Sequence, residues 1–305
     1  MSTESVPEIP VIVGPTAAGK TALSLMLAEA FPGTEIVSAD SRQIYIGMDI
    51  GTAKPARAEL DRVPHHLIDI VAPDTPYSAG RYADAARAVI VGILERGGRP
   101  LVVGGSGFYV KALFEGLGAP AADPVILDRL QRRGEEEGFD LLYDELAAID
   151  PETARRHSPN NHAKTLRALC CYYQTGRLYS SFLEGETESA PLRPVYLGIA
   201  PAREVLYRRI DRRVLGMLED GLVDETRRLL ATGYGRDAPG MRTVGYAEVL
   251  ARLAGEIDAA RMVELIQQAT RRYAKRQMTW FRRVQDVLWM PEPDIGAALE
   301  RIGWR

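Results

Sequence analysis

Short apolar runs alternate along the chain with longer stretches whose apolar positions recur every three or four residues. The runs are Val11–Val13, Glu35–Ser38, Leu67–Val71, Pro100–Val103 and, much later, Val195–Ile199, each of a length suited to a buried strand. Leu23–Ala30 and Arg81–Glu95 carry helical spacing, and Gly97-Gly98 stops the second of them. Such alternation predicts a parallel sheet with helices on both faces. Between about Ala121 and Ala190 no strand pattern occurs. There Asp123-Pro124 opens a helix, Arg129–Leu146 is charged and helical, and Ala163–Tyr173 is helical before Gly176. After Pro201 the pattern is helical almost throughout, with breaks at Gly233–Gly240 and a closing Pro291–Pro293 segment. The expected architecture is α/β: a core from residues 1–120 and 191–305, and an all-helical insertion at 121–190.

The turn after the first strand carries the clearest chemistry. Gly14, Pro15, Thr16, Ala17, Ala18, Gly19, Lys20 and Thr21 match the G-x-x-x-x-G-K-[ST] phosphate-binding loop in full. A strand that turns sharply into a helix aims backbone N–H groups and the positive helix end at one small volume. Gly14 and Gly19 permit the turn, Lys20 reaches a terminal phosphate, and Thr21 is placed to ligate Mg²⁺. The core is therefore expected to be P-loop NTPase-like. The loop reads a chain of phosphates and is silent about what they are attached to.

Composition narrows the setting more than the chemistry. Of 305 residues, 46% are hydrophobic and 26% charged, ordinary values for a soluble globular protein. No apolar run approaches the roughly 20 residues that span a bilayer, so no membrane partner is expected. The first ten residues hold two Glu and two Pro, which argues against a signal or transit peptide. Cys170 and Cys171, adjacent and poorly placed to pair, fit a reducing cytoplasmic setting. A net charge of −3 does not announce a nucleic-acid partner. Two local runs do depart from it: five arginines between Arg203 and Arg213, and six basic residues without an acid between Arg271 and Arg283. Such runs are ordinarily solvated helix faces, and they are also candidate sites for phosphate or nucleic-acid backbone.

In open α/β sheets ligands bind at the carboxyl ends of the strands. Those ends deliver the phosphate loop, then Ser38-Ala39-Asp40-Ser41-Arg42-Gln43, then Gly104-Gly105-Ser106-Gly107, and finally Ala200-Pro201 leading to Arg208, Arg209, Arg212 and Arg213. Asp40 is placed to hold Mg²⁺, to act as a general base, or simply to cap the following turn. Ser106 is a candidate site hydroxyl or a helix cap. No Ser/His/Asp or Cys/His arrangement points to acyl transfer, and His65, His66, His157 and His162 lack metal-ligand spacing. From the residues alone the chain transfers something to or from a phosphate ester, and an ATP-dependent small-molecule kinase remains open.

Seven segments occur together in order: GPTAAGKTALS, SADSRQIYIGMDIGTAKP, PHHLIDI, PLVVGGSGFYVKALFEG, Arg209–Arg213, RTVGYAE and TRRYAKRQMTWFRR. Together they closely resemble the tRNA dimethylallyltransferase (tRNA isopentenyltransferase) family, bacterial type, from Val11 to about Trp289. The resemblance implies transfer of a dimethylallyl group from dimethylallyl diphosphate to N6 of the adenosine 3′ of the anticodon, with Mg²⁺ and release of pyrophosphate. Its alternative within prenyl transfer is an enzyme acting on free AMP. By position the resemblance makes Asp40 the base on the amine, gives Lys20 and Thr21 the diphosphate and Mg²⁺, and gives Arg213, helped by Arg209, the departing pyrophosphate. Ser106 stands where relatives often have Thr and would orient the adenine or the base. The tRNA-contacting stretches correspond to Asp40, Ser41, Arg42 and Gln43, then Ala163, Lys164, Thr165, Leu166 and Arg167, then Arg242, Thr243, Val244, Gly245, Tyr246 and Ala247. Leu127 replaces an Arg common in relatives, and Ala163-Lys164 replaces a Gln-Arg pair seen in some. The partners implied are the tRNA anticodon stem-loop and dimethylallyl diphosphate, with the helical insertion as a clamp on the anticodon arm. A monomer without the zinc-finger extension of eukaryotic relatives is expected.

Overall fold

The computed structural model describes residues 6–184 and 192–304. Strand β1 (Glu8–Val13) runs into helix α1 (Lys20–Ala30) and returns through β2 (Thr34–Ser38). A short α2 (Arg57–Leu60) and β3 (His65–His66) precede α3 (Ala79–Glu95), β4 (Arg99–Gly104) and α4 (Gly107–Phe114). The five helices that follow are α5 (Pro124–Glu137), α6 (Phe139–Ile149), α7 (Pro151–Arg155), α8 (His162–Thr175) and α9 (Tyr179–Glu184). Then come β5 (Arg193–Ile199), α10 (Arg203–Glu219), α11 (Leu222–Ala231), α12 (Tyr246–Leu253), α13 (Ala259–Phe281), β6 (Val287–Met290) and α14 (Ile295–Ile302).

All six strands form one parallel sheet in the order β3-β2-β4-β1-β5-β6. The phosphate-loop strand is therefore central, and Ile9, Val11, Ile12 and Val13 have no exposure to solvent. Burial on both faces explains why β1 reads as a continuous apolar run rather than an alternating one. One apolar cluster, including Leu23, Leu27, Leu197 and Ile199, packs α1 and α14 against the sheet. A second, built on Ile44, Met48, Leu222, Tyr246 and Ile266, lies under the segment that follows β2 and joins it to the later helices.

Three expectations about elements are corrected. The strand expected at Leu67–Val71 is displaced: β2 pairs with His65–His66, and Val71 makes only an isolated bridge with Tyr45. Leu67 and Asp69 adopt left-handed φ of 62° and 55°, which a strand does not accommodate. The charged stretch Arg129–Leu146 is two helices rather than one, because Gly138 at φ 106° separates α5 from α6. Strand β6, a fourth parallel neighbour-to-neighbour pairing away from β2, adds Val287–Met290 to β5 where only helix was expected.

The described residues divide into two compact units. One holds the sheet; the other begins at Glu115, and the elements of its described part are all helices. The expected end of the insertion at 190 lies outside the described residues. Within the helical unit Asp123 caps α5 through Val125 and Ile126 N–H, and Leu130, Leu142, Leu146, Leu169 and Cys170 form the core. Cys170 and Cys171 are free and buried, and burial pushes both thiols up, so they are unreactive packing residues. Among the described residues no helix is long and apolar enough to cross a membrane.

Candidate active site

The sheet unit contains a cleft of about 500 Å³ at the carboxyl ends of β1, β2 and β4. Its floor is the loop between β1 and α1. Gly14 takes φ 147°, and a side chain there would press on the Ile199 carbonyl of the neighbouring strand. Helix α1 starts after Gly19 without a side-chain cap, so its first N–H groups face the cleft unsatisfied. That is the arrangement an anionic ligand completes.

Lys20 folds back over the loop and donates to the carbonyls of Gly14 (3.1 Å) and Pro15 (2.9 Å). Burial lowers its pKa to about 8, with Asp40 opposing the shift and Arg213 adding to it. Arg213, on α10, donates to Thr16 Oγ1 at 3.3 Å, and Arg209, one turn earlier, reaches Ala18 O and Glu292. Much of the Arg213 side chain is open to the cleft, yet crowding around its head lowers it from the usual arginine value. It remains a cation at physiological pH.

Asp40 follows β2 and lines the cleft opposite these cations. Its Oδ1 accepts the N–H groups of Arg42 (2.8 Å) and Gln43 (3.4 Å), so the carboxylate caps its turn as well as facing the phosphate loop. Ser106 ties the second and third strand ends together, accepting Ser41 N–H at 2.9 Å and donating to Ser41 Oγ at 3.1 Å. The strands approach closely here: a side chain on Gly104 would run into the Ala39 carbonyl. Tyr273 adds a hydroxyl bonded to Ser106; burial, and then the negative charge of Asp40, push it up to about 12, so it stays protonated.

Sequence reasoning placed Lys20, Thr21, Asp40, Arg42, Gln43, Arg213, Arg242, Thr243, Val244 and Gly245, and the structure brings all of them to this cleft. It missed Gln277. That buried amide accepts the Thr16 N–H at 2.9 Å and donates to Gly105 O at 3.0 Å, bracing the phosphate loop against the β4 turn. It also missed Glu225, whose buried carboxylate accepts the N–H groups of Asp49, Ile50 and Gly51. Glu225 thereby fixes the segment leading away from Asp40.

Several residues in the expected tRNA-contacting stretches cannot touch RNA as placed. Tyr246 is fully buried and donates to Glu225 at 2.5 Å. Thr165 and Leu166 are buried in the helical unit's own core, while Ala163 and Lys164 are exposed and Arg167 is held by the Pro120 carbonyl. Leu127 packs against that same core. On α13 Arg271 is committed to Asp211 at 3.1 Å, whereas Arg272, Lys275 and Arg276 are exposed, as are Arg282 and Arg283 just beyond its end. Thr243 lines the cleft with its buried hydroxyl unpaired.

Comparison with known proteins decides the family. The model of the IPP transferase family matches residues 43–284, and that of the isopentenyl transferases matches residues 7–71. The chain belongs to the tRNA dimethylallyltransferase family. It is 45% identical to the tRNA dimethylallyltransferase of Geobacter metallireducens over 96% of this chain and 95% of that one. It is similar to the crystal structure of the tRNA isopentenylpyrophosphate transferase of Bacillus halodurans, with a TM-score of 0.67 and 41% identity over 93% of this chain and 89% of that one. A eukaryotic dimethylallyltransferase acting on tRNA superposes with a TM-score of 0.81 at 27% identity, covering 97% of this chain and 76% of that one. The phosphate loop of this family member thus opens into a cleft shared with the carboxylate of Asp40 and with Arg213 of α10.

Proposed function

We propose that the chain transfers the dimethylallyl group of dimethylallyl diphosphate to N6 of the adenosine immediately 3′ of the anticodon in tRNA, releasing pyrophosphate. The observation that carries this reading is the placement of Asp40 across one cleft from the phosphate loop, Lys20 and Arg213, in a chain of this family. The exocyclic amine of adenine is a weak nucleophile, because its lone pair is delocalised into the ring. An allylic diphosphate ionises readily, so the main demand on the protein is to stabilise the charge that develops on the departing group. The uncapped N–H groups of α1, Lys20 and Arg213 meet that demand in a preorganised site. As the N6–C1 bond forms and the C1–O bond breaks, the electron pair leaves with pyrophosphate and the amine proton passes to Asp40. Thr243 and the Ser106–Tyr273 pair offer hydrogen-bonding groups to the adenine edge.

The donor set fits Mg²⁺ carried in with the substrate. Thr21 and Asp40 border the cleft, and no cluster of three His, Cys, Asp or Glu suited to a metal occurs among the described residues. Mg²⁺ is commonly held by one or two protein oxygens together with substrate phosphates. When bound it would neutralise charge on the diphosphate, with the Thr21 hydroxyl as its protein ligand.

Water would capture an allylic cation, so the base must fill the cleft after flipping from the RNA stack. Extruding a loop base costs only a few kcal/mol, which favours the anticodon loop over a duplex. The helical unit, with exposed Ala163 and Lys164, is assigned to hold the anticodon arm. Incubation with labelled dimethylallyl diphosphate and separately with tRNA, AMP or ATP tests the assignment. Label is expected in tRNA alone. Label in AMP would move the chain to the free-nucleotide enzymes, and ATP turnover with a small acceptor would make it a kinase.

The exposed basic surface of α13 is assigned to the RNA backbone. Arg272→Ala and Arg276→Ala are each expected to weaken tRNA binding and to flatten its dependence on log salt concentration by about one unit per lost phosphate contact. A wild-type slope in both variants would return this face to simple solvation.

A further inference from the structure

Two cavities adjoin along α10, and Ala53, Arg213 and Met217 line both of them. One is the active-site cleft of about 500 Å³; the other, of about 660 Å³, lies toward Ile50, Lys54, Leu60 and Gly216. Arg213 marks the phosphate end of the shared wall through its bond to Thr16. Met217 stands four residues later on the same helix, so it lies over the next turn, about 6 Å further along the axis. That step is comparable to the length of one isoprene unit leaving a diphosphate held at Arg213. Beside Met217 the cleft wall turns apolar, with Val214, Val244 and Ile266. Methionine suits such a place, since its unbranched thioether fills an irregular gap between two spaces.

The space behind Met217 has room for more hydrocarbon. Its prominent cation, Lys54, is already paired with Asp49 and Asp69 and donates to the Tyr45 carbonyl. Ile50, Ala53, Pro55 and Leu60 supply apolar wall beside that ion-paired cluster, and the charged Arg57 and Asp220 complete the lining. We propose that Met217 is the stop at the end of the prenyl slot: its side chain closes the cleft against the second cavity and limits the transferred group to one isoprene unit. The proposal rests on reading the cleft as a prenyl diphosphate site.

The test compares dimethylallyl and geranyl diphosphate as donors to tRNA, with the product nucleoside identified by mass. In Met217→Ala the ratio of kcat/KM for geranyl over dimethylallyl donor is expected to rise at least about tenfold over wild type, the scale on which a hydrophobic pocket discriminates by size. Met217→Leu, which keeps the volume, is expected to retain the wild-type ratio. Met217→Val serves the same purpose as the alanine variant if the latter does not fold, and calorimetry with geranyl diphosphate reads the opened slot without catalysis. An unchanged ratio in the truncated variants, with dimethylallyl transfer still measurable, overturns the stop and leaves the functional reading standing. Failure of the wild-type protein to bind any prenyl diphosphate overturns both.

Discussion

Asp40→Asn is expected to lower the rate of prenyl transfer by about 10²–10⁴-fold, the range for loss of a positioned general base, while leaving tRNA affinity nearly intact. The substitution separates two jobs that the carboxylate performs. Oδ1 accepts the N–H groups of Arg42 and Gln43 and so shapes the turn after β2. An asparagine oxygen accepts the same two bonds, so the turn persists. What disappears is the charge and the capacity to take the N6 proton. The charge matters a second time, because Asp40 favours the cationic form of Lys20 across the cleft. A single-turnover measurement with labelled dimethylallyl diphosphate reads the chemical step, and fluorescence anisotropy with anticodon-arm RNA reads binding. An undiminished single-turnover rate would confine Asp40 to capping. Loss of tRNA affinity equal to the loss of rate would make it a binding residue instead of a base.

The sheet was readable wherever burial on both faces wrote a continuous apolar run, as at Val11–Val13, Pro100–Val103 and Val195–Ile199. It was misread where pairing and hydrophobicity part company. Strand β3 is two histidines, one bonded to the Val63 carbonyl and the other to Glu35, and neither registers as apolar. The more hydrophobic Leu67–Val71 is bent out of the sheet, and Lys54, fifteen residues from Asp69, helps to hold that bend. No local window contains both halves of that arrangement. The β6 run is four residues long and follows an arginine-rich helix, which conceals it.

The site divides in the same way. The phosphate loop is a local motif, and its residues were legible because turn, helix start and ligand chemistry share eight consecutive positions. Asp40 was legible as a carboxylate at a strand end. Gln277 was not: its partner Thr16 lies 261 residues away, and within α13 it reads as one more polar residue in a basic run. Its signal was periodicity, since Ile266, Thr270, Tyr273 and Gln277 recur on one helical face toward the cleft. Glu225 meets the backbone N–H groups it accepts only across about 175 positions. The contact stretches transferred by resemblance were segments, whereas burial distinguishes side chains, so Tyr246, Thr165 and Leu166 turned out to support the surface rather than form it.

Raising the pH through about 8 is expected to weaken binding of dimethylallyl diphosphate, and Lys20 is the cause. In the free protein burial lowers this lysine to about 8, so it is a cation below that pH and loses its charge above it. A bound diphosphate favours the cation and raises the pKa, so binding takes up a proton whenever the free lysine is neutral. Uptake is near zero well below pH 8 and approaches one proton above it. The dissociation constant should then rise by up to about tenfold per pH unit between 8 and the pKa of the complex. A lysine titrating at its ordinary value of 10.5 would give a flat profile from pH 7 to 9. Calorimetry at pH 7 and pH 9, in buffers of different ionisation enthalpy, counts the protons directly. Lys20→Met should abolish the uptake and cost about 10²–10³-fold in kcat/KM, the scale for removing one preorganised donor to developing negative charge. Arg213→Ala provides an internal check with the opposite sign, because Arg213 lowers Lys20 and its removal should move the onset to higher pH. Uptake that persists in Lys20→Met would assign the titration to another group. A flat wild-type profile would mean that water reaches Lys20 freely, and the leaving group would then depend more heavily on Arg213 and the first turn of α1.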